Sequence, residues 1–189
     1  MSNKIKTSLL TTLLLTSSMS TYSAESSSSF KVLLGNKSLA SEWDENDGMD
    51  SIGFLFTYQP STLPIGLALD LYGNGNEEKI NGIKTETSVG EANIGLRWQP
   101  LATNSVFSPY LGTGISYATA ELEYVESGTK YKAHDSALGY WIGGGVDYIF
   151  SEQWTIGVDA KFSKVDVKLN GKERDAGGLG LGIALGYRF

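Results

Sequence analysis

The chain ends in "GGLGLGIALGYRF", residues 177–189, and the alternation in this stretch decides the fold. Leu179, Leu181, Ile183, Leu185, Tyr187 and Phe189 share one parity, and Gly180, Gly182, Ala184, Gly186 and Arg188 share the other. A period of two marks a β-strand whose faces meet different surroundings. A soluble sheet would set the large apolar face on a core and a polar face in water. Here the second face is mostly glycine and alanine, which suits a crowded interior rather than solvent. One face meets something oily and the other something tightly filled.

The rest of the composition narrows what the oily surroundings are. Residues 1–24 begin with Lys4 and Lys6, continue through the apolar run "LLTTLLL" (9–15), and reach small residues around Ala24. That is the pattern of a secretory signal peptide cleaved after Ala24, and the run is far short of the ~20 apolar residues of a membrane-spanning helix. The expected mature domain, 25–189, carries 13 basic and 21 acidic residues. This acidic balance argues against nucleic acid as a partner, because phosphate binding needs a basic footprint. There is no cysteine, so neither a disulfide framework nor a cysteine-linked lipid anchor is available. The mature part has no apolar run long enough for a spanning helix, so a route into a membrane would have to be a closed barrel.

Eight segments alternate in the same way. They are "FKVLL" (30–34), "SIGFLFTY" (51–58), "IGLALDLY" (65–72), "GEANIGLRW" (90–98), "PYLGTGISYA" (109–118), "LGYWIGGGVDYIF" (138–150), "WTIGVDAKFS" (154–163) and the terminal stretch. The connections at 59–64, 99–108 and 151–153 are short. Those at 36–50, 73–88, 119–136 and around 168–175 are polar, and all but the last are long. Asn170-Gly171 is a type I′ hairpin signal and predicts that the last two strands run on as a ribbon. Aromatics gather at the short-turn end: Tyr58, Trp98, Tyr148, Phe150, Tyr187 and Phe189 close descending strands, and Phe30 and Trp154 open ascending ones. Such rings favour the boundary between lipid tails and water. The expectation is an all-β, eight-stranded antiparallel up-and-down transmembrane β-barrel, with both termini on the short-turn, periplasmic side.

With "SPYLGTGISYA" (108–118), "GGGVDYIF" (143–150) and the terminal "LGYRF" (185–189), the chain resembles the small eight-stranded outer-membrane β-barrel proteins of Gram-negative bacteria. The resemblance covers roughly residues 30–189. It implies export to the cell outer membrane, surroundings of outer-membrane lipid and lipopolysaccharide, and delivery by the outer-membrane assembly machinery. It also implies that Tyr187 and Phe189 belong to an aromatic-ended assembly signal. Family membership of this kind says little about function.

Parity points four acids, Asp70, Glu91, Asp147 and Asp159, and four bases, Lys31, Arg97, Lys161 and Arg188, into the lumen. Matched signs in a narrow interior predict ion pairs that fill it, since an unpaired charge there would be costly. His134-x-Ser136 has the spacing of the histidine and serine of outer-membrane lipid A deacylases. However, the residue after the serine is Ala137 where that family has asparagine, and no acid is placed to orient the histidine. His134 is therefore expected to be a loop histidine. "DENDGMD" (44–50) does not fit the calcium-loop pattern, because its glycine comes one place early and the twelfth position is Leu55. "GGG" at 143–145 has no following helix to cradle a phosphate. No cofactor, metal or catalytic residue is expected. The leading reading is a monomeric, non-enzymatic barrel with a structural or surface-contact role. A narrow conduit for small apolar compounds, supported by inward Leu33, Leu55 and Trp141, comes second, and a lipid-modifying enzyme third.

Overall fold

The computed structural model describes residues 27–39, 48–80, 83–100, 105–126, 129–169 and 171–189. The expected signal peptide and most of the acidic 44–50 stretch lie outside these residues. The described residues form ten strands: β1 (Ser27–Ser38), β2 (Gly48–Gln59), β3 (Ile65–Ile80), β4 (Ile83–Trp98), β5 (Phe107–Glu126), β6 (Thr129–Ile149), β7 (Trp154–Lys164), β8 (Asp166–Leu169), β9 (Lys172–Asp175) and β10 (Gly178–Arg188). Eight of them close an antiparallel barrel, β1 through β7 in sequence order and then β10, which pairs back onto β1 from Ser29↔Arg188 to Ser38↔Leu179. Closure matters because a barrel leaves no row of unpaired backbone groups to face lipid.

The two faces of each barrel strand diverge as the sequence pattern requires. Leu34, Ile94, Leu111, Leu138, Val158 and Ile183 stand outward at 60–70% exposure, while their neighbours in sequence turn inward. Outward apolar side chains circle the whole barrel, which is what a lipid-facing wall needs. At the short-turn end Trp154 stacks edge-on against Tyr187 at 5.1 Å, Tyr187 against Phe189 at 5.2 Å, and Phe107 lies 5.4 Å from Tyr148. The rim there is knitted by backbone hydrogen bonds from the Gln99 N–H to the Pro64 carbonyl, from Ile149 to Val106, from Arg188 to Gln153 and from Phe189 to Ser28.

The small face of β10 is explained by its paired neighbours, β1 and β7. A Cβ on Gly182 would come within 2.6 Å of the Leu33 side chain, and one on Gly186 would press on Thr155 and on Lys31 Cγ at 3.0 Å. Gly112 and Gly145 do the same for larger groups: added Cβ atoms would meet the Trp141 ring at 2.7 Å and the Tyr110 hydroxyl at 2.5 Å. Glycine on one strand makes room for a bulky inward side chain from the strand paired with it.

The other end differs from the sequence expectation. Much of 73–88 and 119–136, read above as polar connections, is strand: β3 and β4 stay paired to Ile80↔Ile83, and β5 and β6 to Glu126↔Thr129. Polar outward residues hid these extensions, because the contrast between the faces weakens once a strand rises above the lipid and only a few mostly small apolar residues, such as Val89, Ala120 and Ala133, still face inward. The last connection departs in the opposite way. Barrel pairing of β7 stops at Lys164, and β8 and β9 form their own two-stranded sheet instead of prolonging the wall.

Candidate functional site: the lumen

Residues from opposite walls meet across the lumen in layers. At the periplasmic mouth, the Gln59 side chain donates to the Leu63 and Gln99 carbonyls at 3.0 and 2.9 Å, and Gln99 donates to Ser108 Oγ at 2.8 Å. Thr155 and Arg188 line the same mouth. Above it, Arg97 donates to Asp70 at 2.7 Å and to Thr57 Oγ1 at 2.6 Å, and Lys31 pairs with Asp147. Tyr110 sits between them. Its hydroxyl donates to Asp159 at 2.7 Å, and its ring receives Lys31 Nζ at 3.8 Å and the Arg97 guanidinium carbon at 5.4 Å. Positive charge over a ring face is favourable, more so out of water.

An apolar layer follows, in which Leu33, Leu55, Tyr72 and Ala184 cluster. Trp141 is also buried inside the barrel, and its indole N–H donates to the Ile94 carbonyl at 3.4 Å. Next comes a triad built on Glu91, whose side chain is fully buried. It accepts from Lys161 at 2.8 Å, from Lys37 at 2.9 Å and from Ser116 at 3.0 Å. Lys161 Nζ also lies 3.6 Å over the Tyr72 ring. The extracellular end is apolar again: Leu39, Met49, Val89, Ala118, Ala120, Val165, Val167, Leu169 and Ala176 form one buried cluster.

Among the eight charges assigned to the lumen by parity, the structure brings together Lys31 with Asp147, Arg97 with Asp70, and Lys161 with Glu91. Asp159 is met by the Tyr110 hydroxyl. Arg188 differs from the expectation, being only half-buried at the mouth. Lys37 joins the Glu91 triad instead, and sequence reading missed it by ending the first strand at Leu34. Continuing the inward parity of Lys31 and Leu33 through Gly35 would have reached it. Tyr72 and Tyr110 carry the inward parity as well, but a tyrosine alone gives no hint of the cations stacked on it.

His134 and Ser136 are exposed on the outer face of β6, opposite Glu121 and Thr119 of β5. The histidine is thus in a strand and not in a loop. Nearby on that rim, Asp135 accepts the backbone N–H of Lys168 at 2.6 Å, and this bond together with the Ser136 N–H holds its carboxyl below the ordinary range. Among the described residues no group of three or more His, Asp or Glu side chains is arranged to hold a metal ion.

Solved structures with the same architecture include OprG from Pseudomonas aeruginosa, 16% identical over 88% of this chain and 96% of that one, with a TM-score of 0.63. Neisserial surface protein A is 13% identical over 86% and 95%, with a TM-score of 0.59. Ail, the attachment invasion locus protein of Yersinia pestis, solved with the heparin analogue sucrose octasulfate, is 14% identical over 87% and 98%, with a TM-score of 0.57. At these identities the likeness is one of fold. The sequence matches none of the curated proteins. The pattern of the outer membrane protein beta-barrel domain matches residues 9–189. With a closed eight-stranded wall, a lipid-facing apolar surface and that match, the chain belongs to the outer membrane protein beta-barrel family and resides in the cell outer membrane.

Proposed function

We propose that this protein is a non-conducting, non-enzymatic barrel that holds paired strands above the outer membrane for structural or surface contacts. The observation that carries this reading is the layered lumen, in which each buried carboxylate of the two charged layers meets a cation or a hydroxyl and each layer is backed by an apolar one. Eight strands leave an interior just wide enough for side chains, and here side chains use it. What remains for contact is the wall of β3, β4, β5 and β6 beyond the lipid, where the acidic residues Glu77, Glu86, Glu121 and Glu123 are found. That acidity, with a chain pI near 4.8, disfavours a sulfated polysaccharide of the kind present in the Ail structure. A monomer fits a barrel whose outward belt needs only lipid. Tyr187 and Phe189 serve, in this reading, as the aromatic end recognised during outer-membrane assembly, after removal of residues 1–24.

Transport of small apolar compounds finds less support. Leu33, Leu55 and Trp141 do point inward, but each is almost completely buried by its neighbours. The test is complementation of a strain lacking the protein. A chain with an apolar lumen, Lys37→Met with Glu91→Leu and Lys161→Met, should restore the envelope phenotype. A chain in which the β3–β4 and β5–β6 ribbons are cut back to short turns should not. The reverse result would place the function in the lumen.

A further inference from the structure

The upper lumen is lined by Met49, Val89, Ala118 and Ala120, aliphatic side chains from β2, β4 and β5. A barrel mouth that opened to water would gain nothing from such a lining. It is filled by the chain's own β8–β9 hairpin and the residue before it: Val165, Val167 and Leu169 are at most 2% exposed, whereas Asp166, Lys168, Lys172 and Glu173 face outward into solvent. The β8 strand is amphipathic with a period of two, whereas β9 (Lys172–Asp175) is polar throughout, and the hairpin exchanges no ladder with the barrel wall among the described residues.

Its attachment is polar and local. Asp175 Oδ1 accepts the N–H groups of Val165 at 3.0 Å and Gly177 at 2.8 Å, and Oδ2 lies 3.1 Å from Lys164 Nζ. One carboxylate therefore ties together the points where the hairpin leaves β7 and re-enters β10. Lys37 donates to the Ala176 carbonyl at 2.8 Å, and Asp135 takes the Lys168 N–H. The return passes through Gly177 and Gly178. Gly178 has φ +131°, and a Cβ on either would strike the backbone of Ser163 or Ser38. Only glycine allows the chain to turn into the bore so close to the wall.

We propose that the β8–β9 hairpin is a stopper latched by Asp175, which closes the extracellular mouth by seating the aliphatic side chains of Val165, Val167 and Leu169 in the cup below. This goes beyond the reading of the lumen above, because the charged layers lie deeper and would block the bore whether or not the hairpin lifts. The chain has no cysteine, so single cysteines report accessibility cleanly. Val167→Cys and Lys172→Cys proteins would be purified in detergent, checked for the folded barrel by resistance to unfolding in cold SDS, and reacted with a bulky hydrophilic maleimide. Lys172→Cys should label rapidly and Val167→Cys slowly. Adding Asp175→Asn to Val167→Cys should raise its rate about tenfold or more, the scale set by a lost charged hydrogen bond, with the barrel intact. Val167→Cys labelling as fast as Lys172→Cys in the parent chain would overturn the stopper. An unchanged rate with Asp175→Asn in a folded barrel would overturn the latch. If Asp175→Asn prevents folding, Asp135→Ala, which frees only the β8 side, must raise the rate instead, and no change there would also refute the proposal.

Discussion

Glu91→Gln is the substitution that most sharply probes how the lumen is held. The change keeps size and the bond to Ser116, but removes the carboxylate that Lys37 and Lys161 share at 2.9 and 2.8 Å. Both ammonium groups are at least 95% buried by their side-chain exposures of 2 and 5%, so neither can turn to water. Each retains a weaker partner: Lys37 keeps the Ala176 carbonyl and Lys161 keeps the Tyr72 ring. Breaking a buried pair by removing one side costs about 3–5 kcal/mol, a large share of the roughly 5–15 kcal/mol that holds a typical domain. Replacing the whole triad by apolar groups (Lys37→Met, Glu91→Leu, Lys161→Met) should instead be neutral or stabilising by about 1–4 kcal/mol, because no stranded charge remains. Equilibrium unfolding in urea from detergent or thin bilayers would measure both. A loss below about 1 kcal/mol for Glu91→Gln would mean that water screens this level, and the packed-lumen reasoning would fail.

Other consequences follow from the same geometry. Gly114→Ala, whose Cβ would strike the Ile94 carbonyl and Gly95, should cost about 1–3 kcal/mol by overpacking against backbone, whereas Gly90→Ala, with nothing within 4 Å, should leave the unfolding midpoint nearly unchanged. Deleting Phe189, which is 70% exposed and touches Tyr187, should lower outer-membrane levels in cells far more than it impairs refolding into detergent, where its burial is worth at most about 1.5–3 kcal/mol; equal losses in the two assays would reduce its role to packing. His134→Ala and Ser136→Ala should leave lipid A acylation unchanged in cells overproducing the protein, as judged by mass spectrometry. Loss of an acyl chain with the parent chain, reversed by either substitution, would establish a deacylase.

Legibility in the sequence followed the environment of each residue. Where one face of a strand meets lipid and the other the lumen, the contrast is strong, and all eight wall strands could be placed from alternation. The inward parity of Asp70, Glu91, Arg97 and Asp147 came with it. Above the lipid the outward faces of β3 to β6 turn polar and the inward apolar residues are small or widely spaced, as with Val89, Ala118, Ala120 and Ala133, so the contrast fades and strand reads as loop. Asn170-Gly171 announced a hairpin, but it gives no sign that the hairpin folds into the bore rather than standing above it. That choice depends on Met49, Val89, Ala118 and Ala120, which come from three other strands and meet only in three dimensions. Lys37 was lost for a simpler reason, since Gly35 and Asn36 resemble a turn although β1 runs through them to Ser38.

Reconstitution into planar bilayers, with single-molecule current recorded across a voltage range, tests the sealed barrel most directly. The parent chain should insert and show no steady ionic conductance above the bare membrane. The Glu91→Gln chain, with its triad broken but its apolar layers in place, should also remain silent if it stays folded. Stable, ion-selective openings of the parent chain at low voltage would contradict the account.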